Sequence, residues 1–341
     1  MLNKYFFEEE IEETVDSILR YSDGPCLILN VLTDTHYNPC DEDNARRTKD
    51  TFQNLQELNR RVYTHGIVHM GDVTIHGTEK DGVPTVHGKI PFTREVSSRL
   101  ISQVRGWMLQ ANSSVFMVNG NHDGAGGSVP MTSNYNCMAT QNSHLTVREG
   151  DNPYYYVDFD FVKVRALFLS TNTTEDIHVW GVSDTQLAWI KKTLLEAPDD
   201  YSVLIFSHIG TYDIESFLTN REDTTELFNQ FHRHTGEFKN KTGRCIAWCC
   251  GHWHFDWVVP ASFSGLVFPM IEITSSLMHG FIPEEHLGYK GYINPPRMDK
   301  TKNQDAWDTL IYRSDTKMLY LVRFGGGADR VINLSKWENE V

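Results

Sequence analysis

Val115-Phe116-Met117-Val118-Asn119-Gly120-Asn121-His122-Asp123 is a short apolar run closed by a cluster of amide, imidazole and carboxylate groups. The same grammar recurs along the chain. Leu27 to Thr33 leads into Asp34-Thr35-His36, and Ile67 to Met70 into Gly71-Asp72. Val203 to Phe206 leads into Ser207-His208, and Ile246 to Trp248 shortly precedes Gly251-His252-Trp253-His254. Runs of this length, rich in β-branched and aromatic residues, read as buried strands. Polar side chains at the ends of several strands of one sheet converge on one rim, however far apart they lie in sequence. The pattern therefore predicts one assembled site.

The donor types indicate its chemistry. Imidazole nitrogens mixed with carboxylate oxygens suit borderline first-row metals, whereas an all-oxygen set suits magnesium or calcium. Asp72 can bridge two ions through its two oxygens, and Asn121 adds a neutral amide oxygen that limits the negative charge. Two ions about 3.5–4 Å apart clamp the attacking and leaving oxygens of a displacement at phosphorus and lower the pKa of a water.

The ordered set Asp34-x-His36, Gly71-Asp72, Gly120-Asn121-His122-Asp123, His208 and Gly251-His252-x-His254 resembles the calcineurin-like metallophosphoesterase superfamily. Its closing Gly-His-x-His is similar to the cyclic-nucleotide phosphodiesterase-like branch. The resemblance implies an α/β fold, a four-layer α-β-β-α sandwich of two facing mixed sheets with a dinuclear metal site at the sheet edge. It implies a first metal on Asp34, His36, Asp72 and His254, and a second on Asp72, Asn121, His208 and His252. It implies that His122 lies near the leaving oxygen and acts as general acid or stabilises the charge developing there. Asp123 is a candidate to hold the His122 ring, or a turn residue. The cofactors implied are two divalent transition-metal ions, manganese first and iron, zinc or nickel as alternatives. The activity implied is hydrolysis of a small phosphodiester by hydroxide held between the metals. The alternatives are a phosphomonoesterase or protein phosphatase, and a catalytically silent metal-binding scaffold.

Composition bounds the partners. A net charge of −14 over 341 residues argues against a protein that grips long nucleic acid, which needs arrays of Lys and Arg. It leaves a small phosphoester substrate open, since bound metals supply local positive charge. Neither a polybasic run nor a stretch of about 18–20 apolar residues suggests a membrane. The first residues lack a secretory pattern. Cys26, Cys40, Cys137, Cys245, Cys249 and Cys250 show no disulfide-framework spacing, so a cytoplasmic location is expected.

The chain reads as a single domain over 1–341, with an N-terminal amphipathic helix within 1–24 marked by Phe7, Ile11, Val15 and Ile18. A further helix is predicted over Asp43 to Tyr63. Strands are predicted over Tyr154 to Phe159 and Val162 to Ser170, then a helix capped by Ser183-Asp184-Thr185-Gln186. Val267 to Ile273, Thr309 to Tyr312 and Leu319 to Phe324 are expected to complete the second sheet. Loops 77–94, 124–136 (with Gly124, Gly126 and Gly127) and the inserted 275–304 (with Tyr289, Tyr292 and Arg297) are candidate pocket walls. Tyr37 and Trp253 are candidates to stack on a base or sugar, or to pack. Arg297, Arg323 and Arg330 are candidate phosphate clamps. His69 and His76 flank Asp72, and Gly325 to Arg330 reads as a glycine-rich turn.

Overall fold

The structure, a computed structural model, describes residues 7–75, 77–85, 90–123, 144–172, 180–212, 218–277 and 293–337. Loop 124–136, His76, Cys137, Tyr289 and Tyr292 lie outside the described residues, as do parts of the other two candidate loops.

Two large mixed sheets carry the fold. The first holds β1 (Cys26–Leu32), β2 (Gly66–His69) and β3 (Val115–Met117). The second holds β4 (Thr146–Val147), β5 (Tyr155–Phe159), β6 (Val164–Phe168), β7 (Ser202–Phe206), β8 (Cys245–Cys250), β9 (Trp257–Val259) and β10 (Met270–Glu272). The chain then returns to the first sheet as β11 (Ala306–Arg313), β12 (Met318–Gly325) and β13 (Arg330–Asn333). The strand orders are β13-β12-β11-β1-β2-β3 and β9-β10-β8-β7-β6-β5-β4. Of the late runs, only β10 joins the second sheet. β11 and β12 instead extend the first, which corrects the expectation. The reason is that β1 and β2 pair in parallel and leave the other edge of β1 open. β11 pairs there antiparallel, with Leu29 opposite Leu310, and so covers a buried edge.

Strand alternation separates three apolar layers. Leu27, Leu29 and Val31 of β1 point between the sheets, where they join Phe168, Leu204 and Cys249. Ile28 and Leu32 point the other way, toward Phe52, Leu55, Ile101 and Val104. Those residues belong to α2 (Glu42–Arg61) and α3 (Arg94–Leu109). On the far face Val203, Ile205 and Trp248 pack with Ile190, Leu194, Phe228 and Phe231, from α4 (Asp184–Glu196) and α5 (Arg221–Arg233). Helices on both outer faces and a core between the sheets make the expected α-β-β-α sandwich.

Several local readings hold in detail. α1 (Glu8–Tyr21) buries Phe7, Ile11 and Ile18 in the first layer, and Glu10 accepts a 2.7 Å bond from the Gly325 amide. Ser183 caps α4 by accepting the Gln186 N–H at 3.2 Å. The Gln186 side chain does not close a reciprocal box. It bonds both the amide and the carbonyl of Ser170 at the end of the neighbouring strand. Between the sheets' far strands a buried network ties Arg323 to Asp256 (2.6 Å) and Asp308 (3.1 Å), with Arg330 on the same two carboxylates. Arg297 donates to the carbonyls of Ser275 and Gln304. These three arginines are therefore committed to the interior of the fold and not to a phosphate.

Arg323→Ala leaves Asp256 and Asp308 short of a cation at buried positions. It should lower unfolding free energy by about 3–5 kcal/mol in a urea titration. A loss below about 1 kcal/mol would mean that Arg330 alone neutralises both carboxylates.

Candidate metal centre

Each element delivers its polar residue just past the last strand pair, where the backbone turns away from the sheet. The turns are linked to one another: Asp34 N–H donates to Gly71 O, His36 N–H to Asp72 O, and Gly251 N–H to His208 O. Asp34, His36, Asp72, His252 and His254 all adopt positive φ, at 52°, 44°, 49°, 85° and 61°. Such backbone is unfavourable for non-glycine residues and persists where surrounding structure enforces it. Here it aims five side chains inward from three separate loops.

The result is a chain of close donor atoms. Asp34 Oδ1 lies 3.1 Å from His254 Nε2 and 3.6 Å from His36 Nε2. His36 Nε2 is in turn 3.6 Å from Asp72 Oδ2. Asp72 Oδ2 is 3.3 Å from His208 Nε2, and Asn121 Oδ1 is 3.0 Å from the same nitrogen and 3.1 Å from His252 Nδ1. Asp34, His36 and His254 form one compact group, and Asp72, His208 and His252 another. Asp72 also groups with His36 and His122, so its carboxylate lies between the two sets.

The remaining atoms are held from outside. Asp34 Oδ2 accepts from the Thr33 hydroxyl (2.6 Å) and the His252 amide (3.0 Å). Asp72 Oδ1 accepts the His122 amide at 2.7 Å. His208 Nδ1 meets Met70 O at 2.8 Å, which leaves Nε2 turned toward Asp72 and Asn121. A ring nitrogen tied to a carbonyl in this way fixes the tautomer that a metal ligand needs.

Electrostatics agree with a cation site. Asp34 and Asp72 are fully buried, and desolvation alone would raise their pKa values. The histidine charges outweigh it and hold both well below the ordinary carboxylate range. Burial likewise works against a charged His208, yet Asp72 and Asp34 lift it to about 10. This pocket therefore holds positive charge tightly, and a divalent ion competes with protons for it. Space is matched as well. A Cβ on Gly120 would stand 2.0 Å from Asp72 Oδ1, and one on Gly251 would stand 2.5 Å from Asp34 Oδ2. The mixed carboxylate, imidazole and amide donors fit borderline divalent ions.

His122 sits at the mouth, its side chain 33% exposed and its Nε2 4.0 Å from Asp72 Oδ2. Asp123 is buried and accepts from the backbone amides of Gly120 (2.8 Å), Val73 (2.8 Å) and Thr74 (3.2 Å). Those bonds lock the Asp72 turn to the Asn121–His122 turn. Burial, followed by the nearby Asp72 charge, raises Asp123 to about 7. Tyr37 and Trp253 are buried, so the structure favours packing over stacking on a ligand. The residues that sequence reasoning did not single out are supports. Glu272 accepts the Trp253 amide at 3.0 Å, Thr274 donates to His254 O, and Ser275 donates to Asp34 O. Half-buried Trp180 sets its ring edge-on to His252 at 4.7 Å. His69 is buried and shares a 2.8 Å bond with the Thr35 hydroxyl.

Asp72→Asn keeps the shape of the side chain that lies between the two groups and removes its charge. Bound metal per chain, measured by elemental analysis after dialysis, should fall by at least about half. Gly120→Ala should do the same by displacing the carboxylate. Unaltered metal content in both would exclude Asp72 as a shared ligand.

Comparison with known proteins places this geometry. Residues 29–256 match the model of the calcineurin-like phosphoesterase family. A dimetal phosphatase from Danio rerio is similar in structure, with TM-score 0.57 and 14% identity, covering 91% of this chain and 99% of that one. GAP50, the anchor in the inner membrane complex of Plasmodium, is similar with TM-score 0.51 and 13% identity, covering 91% of this chain and 88% of that one. No curated protein matches. With the family match spanning most of the chain and every strand-end motif inside it, this protein belongs to the calcineurin-like phosphoesterases and is a metal-dependent phosphoester hydrolase.

Proposed function

We propose that the chain hydrolyses a small phosphodiester, with Asp34, His36, Asp72 and His254 holding one ion and Asp72, Asn121, His208 and His252 the other. The observation that supports this most directly is the Asp72 carboxylate standing between two histidine groups, with His122 beside it at the mouth. When bound, the two ions would supply positive charge at the phosphoryl oxygens and a water of lowered pKa. Manganese is the proposed occupant, on the mixed nitrogen and oxygen donor set.

The chain's own residues do the rest. Water releases one proton to solvent as its oxygen bonds to phosphorus, and the P–O bond on the opposite side breaks. His122 Nε2 hands its proton to the departing alkoxide, a role for which imidazole is the common side chain. Asn121 keeps the second group at lower net negative charge than a carboxylate would. Asp123 acts as a positioning residue, because its three amide bonds set the separation of Asp72 from His122. Among the described residues, Cys26, Cys40, Cys245, Cys249 and Cys250 are free thiols, which supports a reducing, cytoplasmic setting. No described helix is long and apolar enough to cross a membrane.

With manganese-loaded protein, bis-p-nitrophenyl phosphate should turn over faster than p-nitrophenyl phosphate. The reverse preference would assign a phosphomonoesterase. His122→Ala should lower kcat about a hundredfold or more with metal content unchanged. Wild-type turnover in that variant would remove His122 from the reaction.

A further inference from the structure

The metal centre occupies one end of the strands, and the other end also holds a cavity. There the two sheets part around a space of about 320 Å³. Ser202 opens β7, Arg244 precedes β8 and Cys245 opens it, Tyr312 lies one residue before the end of β11, and Lys317 lies in the turn to β12. Ser202 and His208 are six residues apart on an extended path at about 3.3 Å each, so this cavity lies roughly 20 Å from the metal centre. A small molecule bound here cannot reach the reacting atoms.

Among the described residues, the charges of the lining have one sign. Arg244 and Lys317 are its charged residues, and none of the ten lining residues is a carboxylate. That is unusual for a chain with 45 acidic residues against 31 basic ones. His232 lines the wall, is 7% exposed and stacks on Phe268 at 5.5 Å. Burial, then the Arg244 charge, press its pKa down to about 4. The Ser335 hydroxyl adds an oxyanion donor, while Ile246, Leu334 and the Tyr312 ring provide an apolar wall. Guanidinium, ammonium and hydroxyl donors together suit phosphate oxygens. The volume exceeds that of a bare ion and falls in the range of small-ligand sites.

We propose that this cavity is a second binding site, separate from the metal centre, for a small organic phosphate whose head group sits between Arg244 and Lys317. The inference does not depend on which phosphoester is hydrolysed at the other edge.

Phenylphosphonate is a suitable probe, because its C–P bond is not an ester and it carries an aromatic body. Calorimetric titration into the metal-loaded protein should show two binding events, one at each end of the strands. The double variant Arg244→Gln/Lys317→Gln should weaken one event at least tenfold and leave hydrolysis at the metal centre unchanged. Lys317→Arg, which keeps the charge, should retain both. The His232 ring proton resonance should move on titration in the wild type and stay still in the double variant. An isotherm and a His232 resonance that both respond alike in wild type and double variant would overturn the proposal. Equal binding of benzoate at the same site would overturn the phosphate assignment.

Discussion

Two buried carboxylates, Asp34 and Asp72, set the terms for the rest of this molecule. Neither is tolerable away from water without positive charge beside it. The fold meets that requirement by bringing His36, His208 and His254 within 3.6 Å of their oxygens. Doing so demands left-handed backbone at Asp34, His36, Asp72, His252 and His254. The strain is spread over three loops: the first two are joined backbone to backbone, and the third donates the His252 amide to Asp34 Oδ2. The remainder of the sandwich gives these loops a rigid base, with three apolar layers separated by strand alternation.

The supports behind the site share one design. Backbone amides and carbonyls, not further side-chain charges, orient the polar groups. Asp123 takes three amides, Asp72 takes the amide of His122, and His208 is tied to Met70 O. A backbone partner cannot rotate away as a long side chain can, so the orientation costs little entropy to maintain. The same logic explains Glu272, which reaches the Trp253 amide from a strand of the second sheet and steadies the loop carrying His252 and His254. The cationic side chains of the late strands serve the fold instead. Arg323 and Arg330 neutralise Asp256 and Asp308 beneath the candidate site, which leaves that site to its own carboxylates and histidines.

The two ends of the strands differ in kind. At the carboxyl ends, parallel strands β1, β2, β7 and β8 finish together and their following turns converge, which is where ligands gather in open α/β sheets. At the opposite end, strand starts and the β11–β12 turn come together around a basic cavity. One sheet pair thus presents an acid-and-imidazole cluster on one rim and a cavity lined by Arg244 and Lys317 on the other.

The site was legible in the chain because its residues follow apolar runs, and a strand end is a position that hydrophobic patterning locates. The same holds for α1, α2 and α4, whose apolar spacing and caps are local properties. The destination of the last strands was not legible. β11 and β12 satisfy the same alternation whichever sheet they join, and only the open edge of β1 decides. The positioning partners were equally hidden, since Glu272, Ser275 and Thr33 carry no pattern of their own and act through bonds set by packing. Arg297, Arg323 and Arg330 show the limit from the other side. A guanidinium fits a phosphate or a buried carboxylate equally well, and burial among Asp256 and Asp308 settled the choice. Sequence alone determined which atoms could bind metal, because donor chemistry belongs to the residue. Tertiary structure decided their distances, tautomers and supports, because those depend on chain segments brought together only by the packed sheets.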